Sequence, residues 1–165
     1  TTEALAPYRV AMPERPAGDQ QPLPYLDAPR VRQAGAIDMQ LQMTLQTPGM
    51  KQAGDAPARI CQSNYKYAYW GFEQMVAHHT VGGCNLQPGD VLATGTLSGP
   101  EEGQAAALIE ITRGGQQALT LPNGEQRTFL LDGDTVNLRA RCQKAGAAGL
   151  GFGDCSATVL PARQA

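Results

Sequence analysis

Hydrophobic and polar residues alternate most regularly between positions 37 and 47. Every second residue there is apolar and the residues between them are polar, which is the period of a β-strand with one buried face. Pro48 and Gly49 follow as a turn signal. We predict a strand over residues 37–47, with partner strands supplied by later residues or by sequence outside this chain. Its apolar positions are Ile37, Met39, Leu41, Met43 and Leu45.

A helical spacing of three to four residues follows between positions 64 and 80. Ser63 is a suitable N-cap, and the pair Gly82-Gly83 is suited to end the helix. We predict one main helix over about residues 64–80. Because apolar residues occur on most of its sides, we expect it to be buried on more than one face. One stripe of this helix would carry Tyr67, Trp70, Gln74 and His78.

Short apolar runs separated by turn signals fill the chain after residue 83. This pattern is typical of short strands joined by tight turns, and Asn123-Gly124 is a strong hairpin signal. Gly114-Gly115 and Asp132-Gly133-Asp134 indicate two further turns. The expected strands cover residues 90–96, 105–112, 116–121, 126–131, 135–142 and 153–160.

Residues 1–36 are rich in proline and show no regular period, so they predict either an extended segment that packs on a surface or a linker. Residues 37–165 then form the remaining domain, and the fold class is β-rich α+β with one main helix. The chain also lacks an initiator methionine. We expect it to have been processed or cut from something longer.

Charge and hydropathy exclude several classes of function. The 13 Lys and Arg residues are scattered singly and the net charge is −2, which argues against a nucleic-acid or anionic-lipid surface. No apolar run approaches the roughly 20 residues of a membrane-spanning helix, and the first ten residues lack the features of a secretory signal. We therefore expect a cytoplasmic protein without nucleic-acid or membrane partners.

The four cysteines have spacings that fit neither a zinc site nor a small disulfide framework. We expect them to be buried thiols in a reducing compartment. They are Cys61, Cys84, Cys142 and Cys155.

His78 and His79 lie near the end of the predicted helix. Adjacent helical side chains point about 100° apart, so this pair does not match the spacing with which a helix chelates one metal ion. We expect the imidazoles to interact with the helix C-terminus and its last carbonyls. The alternative is that one of them is a general base.

Glu110 lies in an otherwise uncharged run, residues 105–111. If it shares a face with Leu108, it is a carboxylate on an apolar surface, which is costly unless paired and is suited to acid–base work or to orienting a histidine. If it lies on the solvent-exposed face of an edge strand, it is an ordinary solvated carboxylate. Alternation alone leaves both interpretations open.

Gly95-Thr96 lies where the predicted strand over 90–96 enters a glycine-containing loop. Glycine lets backbone N–H groups approach an anion, and a threonine hydroxyl can donate to a carboxylate. The same pattern also fits an ordinary passage from strand to turn.

Three segments together resemble the carboxy-terminal part of the fumarylacetoacetase (fumarylacetoacetate hydrolase) family. They read NYKYAYWGFEQMVAHHTVGGCNLQPGDVLATGTLSGPEE over residues 64–102, RTFLLDGDTVNLRARC over 127–142 and GLGFGDC over 149–155. The resemblance implies part of a mixed β-roll catalytic domain, a homodimer, and hydrolysis of the C–C bond of 4-fumarylacetoacetate to fumarate and acetoacetate. It also implies a place in tyrosine and phenylalanine catabolism and the use of Mg²⁺ or Ca²⁺.

The same resemblance implies roles for two residues. Thr96 matches the threonine that contacts the diketo-acid substrate. Glu110 matches the glutamate that orients the catalytic histidine and favours its charged form.

The family's metal ligands and base histidine precede the position that matches Thr1. We therefore expect this chain alone to be inactive, with no metal ligand of its own. We expect strand 37–47 and helix 64–80 to expose apolar faces where an upstream half would dock.

Two other functions fit the same residues. One is a hydrolase of another acylpyruvate or diketo acid, since the superfamily shares the region around residues 94–96. The other is a truncated, non-catalytic dimerisation module.

Overall fold

The computed structural model describes residues 1–163, and these residues form two compact units. The first unit combines Thr1–Met39, Asn64–Leu97 and Cys142–Gly149. The second combines Gln40–Ser63, Ser98–Arg141 and the described residues from Leu150 onward. The domain boundary that the sequence places after residue 36 stays a prediction.

The proline-rich start of the chain forms short helices and a small sheet in the first unit, between stretches without regular secondary structure, so it is not extended throughout. Prolines stand at the start of two of these helices, where a missing N–H costs nothing. Strand β1 pairs antiparallel with β2 through Arg9↔Ile37 and Val10↔Ala36. The elements are 3-10 helices Ala6–Tyr8 and Pro24–Leu26, β1 (Arg9–Val10), α1 (Pro29–Ala34) and β2 (Ala36–Ile37).

A four-stranded sheet lies largely in the second unit and has the order β4-β3-β7-β8. Strands β3 and β7 pair antiparallel from Gln40↔Arg141 to Gln46↔Thr135. The predicted strand over 37–47 is confirmed over seven residues, and its partners come from later in the chain. The sheet consists of β3 (Gln40–Gln46), β4 (Ala58–Asn64), β7 (Thr135–Cys142) and β8 (Leu150–Thr158).

The main helix begins later than the sequence predicts. Residues 58–64 are strand β4, a 3-10 helix covers Tyr65–Tyr67, and the α-helix α3 runs only from Phe72 to Val81. Asn64 causes the delay, because its Oδ1 accepts the backbone N–H groups of Met39 and Lys66 and holds the chain in a turn. Gly82 caps the other end, as predicted.

Helix α3 is also less buried than its composition suggests. Of its residues only Gln74 is buried, and both ends of its amide are satisfied there: Nε2 donates to the Leu26 carbonyl and Oε1 accepts the Gly71 N–H. Val76 and Val81 are exposed, whereas the apolar residues of β3 are half-buried or buried. The expected exposed apolar residues therefore occur on the helix, whereas the apolar residues of the strand are largely covered.

Helix α2 (Pro48–Ala53) replaces the simple turn expected between β3 and β4. Thr47 is its N-cap, with Oγ1 accepting the Met50 N–H at 3.0 Å, and Gly54 ends it in the left-handed conformation at φ +76°. Met50 then packs into an apolar cluster with the sheet and with Leu121. That cluster contains Leu45, Met50, Ala58 and Leu121, with Ile60, Leu119 and Val136 around it.

Between residues 84 and 134 several predicted strands are wrong or shortened. Residues 90–96 have no regular secondary structure, and residues 105–112 contain helix α4 (Leu108–Ile111) instead of a strand. Helix α4 starts directly after the extended N-cap Ala107, and its third residue Glu110 accepts the N–H groups of Ala106 and Ala107. Gly114-Gly115 consequently follows a helix and does not join two strands.

The Asn123-Gly124 hairpin is confirmed, with Leu121 N–H donating to the Glu125 carbonyl at 2.8 Å. It joins β5 (Leu119–Thr120) to β6 (Gln126–Arg127), each shorter than predicted. The turn at Asp132-Gly133-Asp134 is also confirmed, since the Asp134 N–H donates to the Leu131 carbonyl.

A mixed α/β architecture with antiparallel strands and few helices is therefore confirmed. The cysteine expectation is half right, because Cys61 and Cys142 are buried whereas Cys84 and Cys155 are exposed, and all four are free thiols. Within residues 1–163 no helix has the length and hydrophobicity to span a bilayer.

Candidate active-site carboxylate and its surroundings

Glu110 is held by three hydrogen-bond donors at the start of α4. Its Oε2 accepts the backbone N–H groups of Ala106 and Ala107, each at 3.1 Å, and the hydroxyl of Ser98 at 2.7 Å. Glutamate at the third helical position commonly satisfies first-turn N–H groups in this way. The carboxylate is exposed and helical, so both strand-based placements of Glu110 are wrong.

Ser98 completes a closed ring of hydrogen bonds around this carboxylate. Its Oγ donates to Glu110 and accepts the Ala106 N–H at 3.0 Å. The serine lies three residues after Gly95 in the string LATGTLSGPEE. Sequence reasoning missed it, although its place in that string was the available signal.

All three donors reach the same oxygen of Glu110. Among the described residues, Oε1 therefore keeps its lone pairs for a group from elsewhere. Burial and, second, the negative charge of Glu110 raise the pKa of the Cys61 thiol on β4. The arrangement can orient a hydrogen-bond donor and stabilise a positive charge placed against Oε1.

Thr96 lies in the first unit, in an exposed segment without regular secondary structure. The preceding Gly95 has φ +71°, a left-handed conformation that glycine adopts at little cost. Glu110 belongs to the second unit. The two residues belong to different units, so their joint action at one active site stays a prediction.

His78 and His79 lie in the last turn of α3, at the position that the sequence predicts. Their contacts differ from the expected bonds to carbonyls. A hydrogen bond of 3.1 Å joins His78 Nδ1 to the Tyr25 hydroxyl, and the two rings stack. Both histidines line a cavity of about 460 Å³ with Trp70 and Leu23, all within the first unit.

A metal ion would need several oxygen, nitrogen or sulfur ligands brought together. In the part of the chain that the structure describes, no three His, Cys, Asp or Glu side chains form such a group. These residues do not fit a metal ion.

Comparison with known proteins identifies the family. The model of the family described as fumarylacetoacetate (FAA) hydrolase C-terminal matches residues 27–160. The chain belongs to this family. The resemblance seen in the three sequence segments is thereby confirmed over most of the chain.

Curated members similar to this chain carry the name fumarylacetoacetase. The protein from Bos taurus is 46% identical over 162 residues, which cover 97% of this chain and 36% of that protein. The Homo sapiens protein is 44% identical with the same coverage, and the Arabidopsis thaliana protein is 40% identical over 98% of this chain and 35% of its own length. This member of the fumarylacetoacetate hydrolase family thus spans about a third of the length of the relatives it matches.

Proposed function

We propose that this chain is the carboxy-terminal portion of a fumarylacetoacetase, an enzyme of tyrosine and phenylalanine catabolism. The complete enzyme would hydrolyse the C–C bond of 4-fumarylacetoacetate to fumarate and acetoacetate. The observation that carries the proposal is the match to relatives of that name over 97% of this chain. We place the enzyme in the cytoplasm as a homodimer.

Glu110 is the residue of this chain with the clearest proposed catalytic role. In the complete enzyme, a histidine from the part that this chain does not span would donate its ring N–H to Oε1 of Glu110. The anion favours the imidazolium that forms when the histidine takes a proton from water, so the water becomes a better nucleophile toward the substrate carbonyl. Ser98 and the two backbone N–H groups keep the carboxylate in place for this task.

Thr96 is proposed to donate its hydroxyl to an oxygen of the diketo-acid substrate. Its exposure in the loop leaves the hydroxyl accessible. Mg²⁺ or Ca²⁺ is proposed to serve the complete enzyme through ligands outside this chain. When bound, the metal would polarise substrate oxygens as a Lewis acid.

The first test reconstitutes the chain with the remaining portion of a related fumarylacetoacetase, with added Mg²⁺ or Ca²⁺. Loss of substrate absorbance in the ultraviolet measures hydrolysis. We expect no turnover by this chain alone and turnover by the pair. Turnover by the chain alone would contradict the proposed division of the active site, and an acylpyruvate cleaved faster than fumarylacetoacetate would favour the diketo-acid alternative.

The Glu110→Gln variant tests the proposed role of the carboxylate in the reconstituted enzyme. Glutamine keeps the size and an acceptor oxygen but loses the charge that stabilises the imidazolium, so we expect kcat to fall by about 10²–10⁴-fold with a small change in KM. Glu102→Gln is the matched control, because Glu102 is an exposed carboxylate in the same unit. Equal activity of Glu110→Gln and the unaltered chain would refute the role.

A further inference from the structure

A groove lined by three arginines crosses the four-stranded sheet of the second unit. Its volume is about 420 Å³, and all four strands contribute to its lining. We call it the arginine groove. Its polar lining residues are Gln40, Gln42, Arg59, Gln62, Arg139, Arg141 and Asp154.

The register of the sheet places four of these side chains on one face. Gln40 is directly opposite Arg141, and Gln42 is directly opposite Arg139. Directly paired residues share a face, and so do residues two apart on one strand. The groove therefore has a floor of alternating amide and guanidinium groups.

The charge of the groove is opposite to that of the chain. Arg139 and Asp154 pair through two hydrogen bonds, with Nη2 to Oδ2 at 2.7 Å. This pairing raises the pKa of Arg139 and lowers that of Asp154. Arg59 and Arg141 remain as net positive charges on a chain whose formal charge is −2.

Glutamine side chains hold these two guanidinium groups: Gln40 holds Arg141 from the neighbouring strand β3, and Gln62 holds Arg59 from within β4. Arg141 Nε donates to Gln40 Oε1 at 2.9 Å, and Arg59 Nη1 donates to Gln62 Oε1 at 2.7 Å. Within residues 1–163 each guanidinium makes this one hydrogen bond, so most of its five donors face the groove or solvent. An arginine held by a glutamine oxygen is oriented without being neutralised.

Strand β3 separates the two arginines, since Arg59 is on β4 and Arg141 is on β7. Two strand steps separate the backbones of the two arginines by about 9.5 Å, at roughly 4.8 Å each. A single compact anion does not easily satisfy two guanidinium groups that are tethered to separate glutamines on backbones this far apart, whereas a ligand with an anionic group at each end does. Carboxylates accept the planar arginine fork with two parallel hydrogen bonds.

We propose that the arginine groove binds a small dicarboxylate, with one carboxylate on Arg59 and the other on Arg141. The Arg139–Asp154 pair forms a neutral wall beside the ligand. The groove includes neither Thr96 nor Glu110, so this inference goes beyond the proposed hydrolase function and does not depend on it.

Titration calorimetry of the full chain at low ionic strength tests the site with succinate, acetate and inorganic phosphate as probes. We expect 1:1 binding of succinate, with acetate and phosphate each at least about tenfold weaker because neither reaches both arginines. Phosphate binding as tightly as succinate would overturn the proposal in favour of a generic anion surface. Absence of succinate binding at millimolar concentration would overturn it outright.

Variants locate the site. Arg59→Gln and Arg141→Gln should each weaken succinate binding by about tenfold or more, the effect of losing one charge-assisted pair of hydrogen bonds. Arg113→Gln is the matched control, since Arg113 is exposed in the same unit and outside the groove. An equal loss in the control would contradict the assignment.

Arg141→Lys separates binding from folding. Lysine keeps the charge but not the planar fork, so we expect an affinity between that of the unaltered chain and that of Arg141→Gln. Circular dichroism and the melting midpoint should stay the same in all variants. Unaltered succinate affinity in Arg141→Lys and Arg141→Gln alike would remove Arg141 from the site.

Discussion

At the scale of single residues, a buried ion pair joins β6 to the end of the turn that follows it. Asp134 is 0% exposed and Arg127 is 8% exposed. Arg127 Nε donates to Oδ2 at 2.7 Å and Nη2 donates to Oδ1 at 3.0 Å, while the Leu131 N–H also reaches Oδ2. Burial acts to raise the pKa of Asp134, but these donors outweigh it and the pKa is lowered.

Replacing Asp134 by Asn should destabilise the chain strongly. Breaking a buried pair costs about 3–5 kcal/mol, and we expect the lower end because Glu125 still pairs with Arg127 at 2.9 Å. Urea unfolding measures the loss. Asp132→Asn is the control, since Asp132 is an exposed carboxylate in the same turn, and it should change the free energy of unfolding by less than about 0.5 kcal/mol. Equal effects of the two variants would show that the ion pair does not stabilise the turn.

The same pair predicts a pH dependence. Because the folded pKa of Asp134 is lowered, its contribution to stability is fully present above the unfolded pKa of about 3.9 and is lost as pH falls through the folded value. The stability difference between the unaltered chain and Asp134→Asn should therefore shrink below about pH 4. A difference that stays constant from pH 6 to pH 2.5 would contradict this assignment.

At the scale of elements, the caps and turns explain which sequence predictions succeeded. The hairpin at Asn123-Gly124 and strand β7 are specified by local signals, and both are confirmed. Helix α4 depends on the hydrogen bond that Ser98 Oγ donates to Glu110, 12 residues away in the sequence. The late start of α3 depends on Asn64 Oδ1, which accepts the N–H of Met39 from 25 residues away. Periodicity cannot report such partners, because it reads only neighbouring positions.

Thr47→Ala should destabilise α2 and the cluster around it. The substitution removes the cap bond to Met50 and the bond from Thr47 Oγ1 to Glu125 Oε1 at 2.7 Å, so we expect a loss of about 1–2 kcal/mol in the free energy of unfolding. Thr47→Ser keeps the hydroxyl and should recover most of that loss. Equal losses in both variants would assign the effect to the methyl group.

At the scale of the whole molecule, many large apolar side chains remain uncovered. Val91 is 89% exposed, and in the second unit Leu160 is 75% exposed. Strand β8 is exposed at almost every position and lies at the edge of its sheet, where unpaired backbone groups favour association. The described surface therefore suits a chain that binds further polypeptide. Other exposed apolar residues are Val81, Ile109, Phe129, Leu131, Leu138 and Phe152.

Association should depend on whether that surface is covered. We expect the chain alone to self-associate with rising concentration and to bind a hydrophobic dye. The remaining portion of a related fumarylacetoacetase should suppress both, because it would cover apolar surface. Sedimentation and dye fluorescence measure the two effects. A chain that is monomeric and dye-free at about 100 µM would favour the stand-alone module over the enzyme portion.

The sequence by itself determined the family, strands β3, β7 and most of β8, the hairpin turn and the end of α3. These depend on local period, on glycine turns, or on strings specific enough to mark a family. Only the tertiary structure decided that Glu110 lies on a helix beside Ser98, that Asp134 is buried against Arg127, and that Arg59 and Arg141 line one groove. The physical reason is that hydrogen bonding, burial and charge depend on groups far apart in the chain, and only the folded backbone brings those groups together.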